Sequence, residues 1–277
     1  MPIFKTASSN LHYHEYGNGK EILLAFHGFG MRGTQFKVLE EAFGQKYRII
    51  SFDLFFHGET RLNDNSVGHI RKGLDAREFA AHINQFLDAE FPGTEKVALL
   101  SYSIGTRMAL CLIENLPHRI AATYLIAPDG IEPNRLLKLG GANFVVNRIF
   151  YKLVYSPKTV TFCLNLLLKL NYIDEAIHRI LKAEFGTTET RLTCYNTITY
   201  YAQLKFNRKR IAEAINTHKI DCHFYFGKKD KLFPSKIGER FSTLLADPNI
   251  HVFDGGHELV NAEMNNYLAT QLKQHHD

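Results

Sequence analysis

Through its first half the chain alternates short, continuous apolar runs with stretches of helical spacing. "EILLAF" (21–26), "YRIISF" (47–52), "KVALLS" (96–101) and "ATYLIA" (122–127) are the apolar runs. Uninterrupted apolar residues suit strands covered on both faces, and their alternation with helices is the signature of a parallel sheet. Between them, "TQFKVLEEAF" opens on the capping-type Thr34 and predicts a helix. "LDAREFAAHINQFLDAEF" predicts another, with Phe79, Ile83, Phe86 and Leu87 on one stripe.

After Pro128 this rhythm stops. Residues 131–217 offer several helical stretches and no convincing strand, with "PKTV" breaking the pattern before the apolar run that follows. Strand-like runs resume at "DCHFYFG" (221–227) and "NIHVFDG" (249–255), each followed by a helical pattern. The expected architecture is an α/β core, residues 1–130 and 218–277, with a mostly parallel sheet covered by helices on both faces. An all-helical insertion, residues 131–217, interrupts it.

Composition adds bounds. At 277 residues, 45% hydrophobic and 22% charged, the chain has the balance of a soluble globular protein. The amino terminus lacks the apolar stretch of a secretory signal, and the longest apolar run, 160–170, is too short to span a bilayer, so a cytoplasmic protein is expected. Cys111, Cys163, Cys194 and Cys222 lie far apart without metal-ligand spacing. His12 and His14 would share one strand face, but no third ligand lies near them in sequence; neither a metal nor a cofactor is expected.

Charge is unevenly placed. The net charge is +5, yet residues 131–220 hold 14 lysines and arginines against 6 acidic residues. Attraction of anionic substrates or contact with a membrane surface would use this excess. Solvated helix faces such as "FNRKRIAEAI" are the preferred reading, and membrane contact is disfavoured. Nucleic acid is not an expected partner, since no recognition motif accompanies the charge. A small-molecule substrate is the expected partner, bound by a monomer or a homodimer.

The chemistry centres on "LLSYSIGTRMAL". Ser103 follows a buried-strand pattern and precedes a helix containing Met108, Ala109 and Leu112, so it would project from a tight turn beside the positive end of a helix dipole. Such a turn requires small neighbours. Gly105 supplies one, while Ser101 stands where a glycine is usual. Upstream, "AFHGFG" (25–30), with His27 and Gly28, places the Phe29 N–H where it and the Ile104 N–H could receive a developing oxyanion. Downstream, "YFGKKDKLFP" carries Asp230 after a strand and "VFDGGHEL" carries His257 after the next. The order serine, aspartate, histidine is that of one triad type. Asp129 in "APDG" also follows a strand and is an alternative acid.

"HGFG", "DLFFHGET", "SYSIG", "GKKDKLFP" and "GGHEL", in this order, resemble the α/β-hydrolase superfamily over nearly the whole chain, and more narrowly its small capped serine hydrolases. The resemblance implies that Ser103 is the nucleophile, His257 the general base and then acid, and Asp230 the carboxylate that orients it. Phe29 and Ile104 would form the oxyanion hole, with Asp53 and His57 in a supporting turn. The insertion would be a lid over the serine. Serine at the elbow excludes the aspartate chemistry of dehalogenases and epoxide hydrolases, leaving ester, thioester, amide or carbon–carbon bond hydrolysis. The expected activity is that of a carboxylic-ester hydrolase acting on small, partly apolar esters through an acyl-enzyme. A carbon–carbon bond hydrolase or lyase, or a non-catalytic small-molecule receptor on the same fold, are the alternatives.

Overall fold

The computed structural model describes residues 2–132, 143–173 and 175–274. In chain order its elements are β1 (Ile3–Lys5), β2 (Ser9–Tyr16), β3 (Glu21–Phe26), α1 (Glu40–Phe43), β4 (Tyr47–Phe52), β5 (Arg61–Leu62), α2 (Val67–Lys72), α3 (Ala76–Glu90), β6 (Val97–Tyr102), α4 (Thr106–Asn115) and β7 (Ile120–Ile126). There follow α5 (Phe144–Val154), α6 (Pro157–Lys169), α7 (Glu175–Glu184), α8 (Thr188–Tyr201), α9 (Arg208–His218), β8 (Asp221–Gly227), α10 (Lys236–Ser242), β9 (Pro248–Phe253) and α11 (Ala262–Gln274). Among the described residues no helix is long and apolar enough to cross a membrane.

The strands join in one sheet of order β1-β2-β4-β3-β6-β7-β8-β9, with β5 paired to β2. From β4 to β9 every pairing is parallel, whereas β2 runs antiparallel to β1, β4 and β5. The continuous apolar runs are the central strands: in β6 every residue is buried, and in β3 all but Glu21. The antiparallel edge strand β2, "SNLHYHEY", lacks a continuous apolar run; it carries the strand face shared by His12 and His14, both of which bond Asp53.

One of the two expected helices needs correction. The segment opening at Gly33 forms a 3-10 turn, Gly33–Leu39, before the short α1, and Thr34 does not cap it. The preceding extended residue is Arg32, with no side-chain cap. The α3 helix formed as its stripe requires, burying Phe79, Ala80, Ile83, Phe86 and Leu87. Its cap is Asp75, whose carboxylate accepts from the Arg77 and Glu78 N–H groups that the first turn leaves unpaired.

The chain divides into two compact units. One, residues 1–63, 75–133 and 204–277, contains the sheet; the other, residues 64–74 and 134–203, contains only helices as regular elements among its described residues. The expected insertion, 131–217, differs from this division at both ends. The α2 helix belongs with the helical unit, where the Leu74 N–H bonds the Tyr200 carbonyl, while α9 packs on α4 in the sheet unit. Part of that insertion, residues 133–142 and 174, lies outside the described residues.

Candidate active site

In the sheet unit, β3 pairs with β4 on one side and β6 on the other, so the loops after β3 and β6 diverge from adjacent strand ends. Phe26 and Ser101 are register partners. Open parallel sheets place their sites at the carboxyl ends of strands where the order reverses, and the sequence-derived residues gather there.

Ser103 leaves β6 with φ of 51°, in the left-handed region that costs a non-glycine residue about 1–3 kcal/mol and persists only where the surroundings impose it. The surroundings are the 3-10 turn Ser103–Gly105 and the start of α4. A Cβ on Gly105 would lie 2.1 Å from the Phe26 carbonyl oxygen and 2.5 Å from that of His27, so the elbow packs directly on the β3 backbone. At Ser101 the structure accommodates the extra atoms. The residue is fully buried and its hydroxyl donates to Thr106 Oγ1 at 3.2 Å, tying the strand to the first residue of α4.

The loops after β8 and β9 supply the partners. His257 Nε2 lies 3.1 Å from Ser103 Oγ, and His257 Nδ1 lies 2.8 Å from Asp230 Oδ2. The other carboxylate oxygen of Asp230 accepts the Leu232 and Phe233 N–H groups at 2.8 and 3.0 Å. Burial alone would raise this carboxyl. The His257 hydrogen bond and the two N–H donors outweigh it and hold Asp230 below the usual carboxylate range. Asp129 is elsewhere engaged: Arg107 donates to it through Nε at 2.6 Å and through a terminal nitrogen at 3.2 Å, and the pair is buried.

On the β3 side, the Gly28 N–H donates to Gln35 Oε1 at 3.0 Å and the Gly30 N–H to His57 Nε2 at 3.1 Å. The Phe29 N–H between them has no hydrogen-bond partner among the described residues. A Cβ at Gly28 would come within 2.5 Å of the Tyr102 ring, which is why the loop can lie against the elbow only with glycine there. His57 accepts from Gly30, so its Nδ1–H donates to the Phe55 carbonyl, and burial holds its pKa below the ordinary histidine value. His27 is fully enclosed. It accepts the Leu54 N–H at Nε2 and donates from Nδ1 to the Gly28 carbonyl, with burial and then nearby His57 lowering its pKa to about 3.

Asp53 is the anchor beneath this loop. It accepts from the Gly33 and Glu59 N–H groups at 2.7 and 2.8 Å and from His12 and His14 at 2.9 and 3.3 Å. The third group that sequence proximity did not supply for His12 and His14 thus comes from Asp53, just after β4, and the ligand atoms of the three residues lie within 4.8 Å of one another. Two of the four contacts fix the segments at Gly33 and Glu59, and the other two tie Asp53 to β2. Arg107 and the histidine pair carried no signal of these roles because their partners lie 22 to 41 residues away, and Gln35 carried none because its bond to the Gly28 N–H, seven residues upstream, depends on how the loop folds back.

The family model described as the alpha/beta hydrolase fold matches residues 21–163, and the chain belongs to that family. Among solved structures it is similar over 100% of its length to MGS-M2, an alpha/beta hydrolase from a Medee basin deep-sea metagenome library (14% identity, 98% of that chain, TM-score 0.70). It is equally similar to a thermophilic esterase from Thermogutta terrifontis (15% identity, 100% of both chains, TM-score 0.70). The carboxylesterase CesB from Bacillus subtilis follows at 14% identity, with 98% of this chain and 89% of that one covered and a TM-score of 0.65. At these identities the likeness is one of fold. Among curated proteins, none matches this chain in sequence.

Proposed function

We propose that the protein is a serine hydrolase of small, partly apolar carboxylic esters that works through an acyl-enzyme. The observation that carries this reading is the continuous hydrogen-bonded series from Asp230 through both ring nitrogens of His257 to the Ser103 hydroxyl. Asp230 fixes the imidazole with Nδ1–H toward the carboxylate, which leaves the Nε2 lone pair facing Oγ. As Oγ attacks the ester carbonyl, its proton passes to Nε2, and the imidazolium formed is stabilised by the carboxylate. The oxygen that gains charge would lie against the N–H groups of Phe29 and Ile104, at the start of the α4 dipole. Collapse expels the alkoxide with the proton from Nε2, and a water activated by the same nitrogen hydrolyses the acyl-Ser103 ester.

Ester cleavage is favoured by the esterases and carboxylesterases of similar fold, an argument from analogy that the site chemistry supports without requiring. The helical unit, which interrupts the sheet unit in sequence, would be the lid of this enzyme.

A fluorophosphonate probe tests the reading. Expected is a covalent adduct on Ser103 that forms far more slowly in His257→Ala, together with turnover of p-nitrophenyl esters. No adduct on Ser103, or labelling indifferent to His257, overturns it. Turnover of vinylogous diketones in place of esters would assign the same residues to carbon–carbon bond hydrolysis.

A further inference from the structure

The helical unit contains an apolar helix turned outward. In α6, "PKTVTFCLNLLLK", Leu164 is buried, while Phe162, Leu166 and Leu167 are exposed, Phe162 by 66%. The neighbouring α5 exposes Phe144, Val145 and Ile149, and beyond α6 Leu170 and Tyr172 are exposed as well, Tyr172 by 77%. Most of the large apolar side chains that stand in solvent among the described residues fall within residues 144–172. Large apolar patches exposed on soluble proteins mark surfaces that something covers.

Charge identifies the cover. Residues 143–173 contain Arg148, Lys152, Lys158 and Lys169 and no acidic residue. All four are exposed, and none pairs with a carboxylate among the described residues. They accompany the apolar side chains. On α6, Lys158, Phe162, Leu166 and Lys169 follow one another at spacings of three and four, the spacing of a single face. On α5 the Arg148 guanidinium lies 4.3 Å above the Phe144 ring. A second copy of this chain would bring the same four cations against its own, which opposes self-association through this face. A surface that is apolar just below and anionic at its boundary accepts both features.

We propose that α5 and α6 dock the protein on an anionic phospholipid surface, with the apolar side chains entering the acyl boundary and the four basic residues among the headgroups. The proposal is independent of the reaction at Ser103.

The chain has no tryptophan, so Phe162→Trp supplies a single fluorescent reporter on the docking face. Expected is a blue shift of its emission and co-sedimentation with vesicles containing phosphatidylglycerol, weak or absent with pure phosphatidylcholine and reversed by salt. The double variant Phe162→Asp with Leu166→Asp should lose sedimentation while keeping its circular dichroism and unfolding midpoint, since both side chains already stand in water. Lys158→Glu with Lys169→Glu should reduce partitioning by at least about fivefold for each charge removed. Ser103→Ala should bind as the unaltered protein does, which separates this inference from the proposed activity. Absence of binding, equal binding to neutral vesicles, or a dimer in solution that the Phe162→Asp, Leu166→Asp variant dissociates would each overturn it.

Discussion

The Tyr102 hydroxyl donates to the backbone carbonyl of His257 at 3.1 Å, and the two rings lie 5.2 Å apart. The residue before the candidate nucleophile therefore holds the loop that carries the candidate base, which is 154 positions further along the chain than Ser103. Burial, followed by nearby Glu258 and Asp230, raises the phenol pKa, so it stays a donor throughout the working range.

Tyr102→Phe keeps the ring and removes this bond. One hydrogen bond of about 0.5–1.5 kcal/mol loosens the loop, and kcat should fall by about two- to tenfold with KM unchanged. Steady-state kinetics on an ester series measures the split. A raised KM at constant kcat would place Tyr102 in substrate binding instead.

The two acids are separable by their different losses. Asp230→Asn should lower kcat by on the order of 10⁴ by presenting the wrong tautomer of His257 to Ser103. Asp129→Ala should leave chemistry nearly intact but cost about 3–5 kcal/mol of stability, because one member of its buried pair with Arg107 is removed. Kinetics paired with urea unfolding distinguishes them, and the reverse pattern would make Asp129 the orienting acid.

Ser101 supports the turn. Ser101→Ala removes the bond to Thr106 and should cost about 1 kcal/mol in unfolding with turnover changed less than about threefold. A hundredfold loss of activity would instead give the hydroxyl a part in the chemistry.

The pH dependence of stability follows from the sign of the shifts. His27 has a folded pKa of about 3 against 6.5 unfolded, so below pH 6.5 the unfolded chain takes up a proton that the folded one refuses. Its contribution is complete above pH 6.5 and declines as pH falls toward 3; buried His57 acts in the same direction. Asp53 and Asp230, both lowered despite burial, contribute above the unfolded value of 3.8 and lose that contribution only below it. Unfolding midpoints at pH values of about 7, 5.5 and 4.5 should fall in that order. His27→Gln should be weaker at neutral pH and flatter across the series. A parallel slope in the variant would remove His27 as the source.

Much of this was readable in one dimension. Strands covered on both faces must be apolar at consecutive positions, and a nucleophile on a strand-to-helix turn needs small neighbours. The central strands, the elbow at Ser103 and the order Ser103, Asp230, His257 were therefore legible as local patterns. For the antiparallel β2 only the shared strand face of His12 and His14 was legible; its place at the sheet edge was not, because both histidines bond Asp53, about 40 residues away. Periodicity alone did not separate Asp230 from Asp129, since both follow strands; the sequence context favoured Asp230, and in the fold Asp230 bonds His257 while Asp129 bonds Arg107. The basic excess after residue 130 was visible as a count, and solvated faces were the preferred reading. Only packing decided that α6 buries Leu164 and turns Phe162 and Leu166 outward between lysines. Helical spacing identifies a face by its pattern, while the neighbouring helices determine which face is covered.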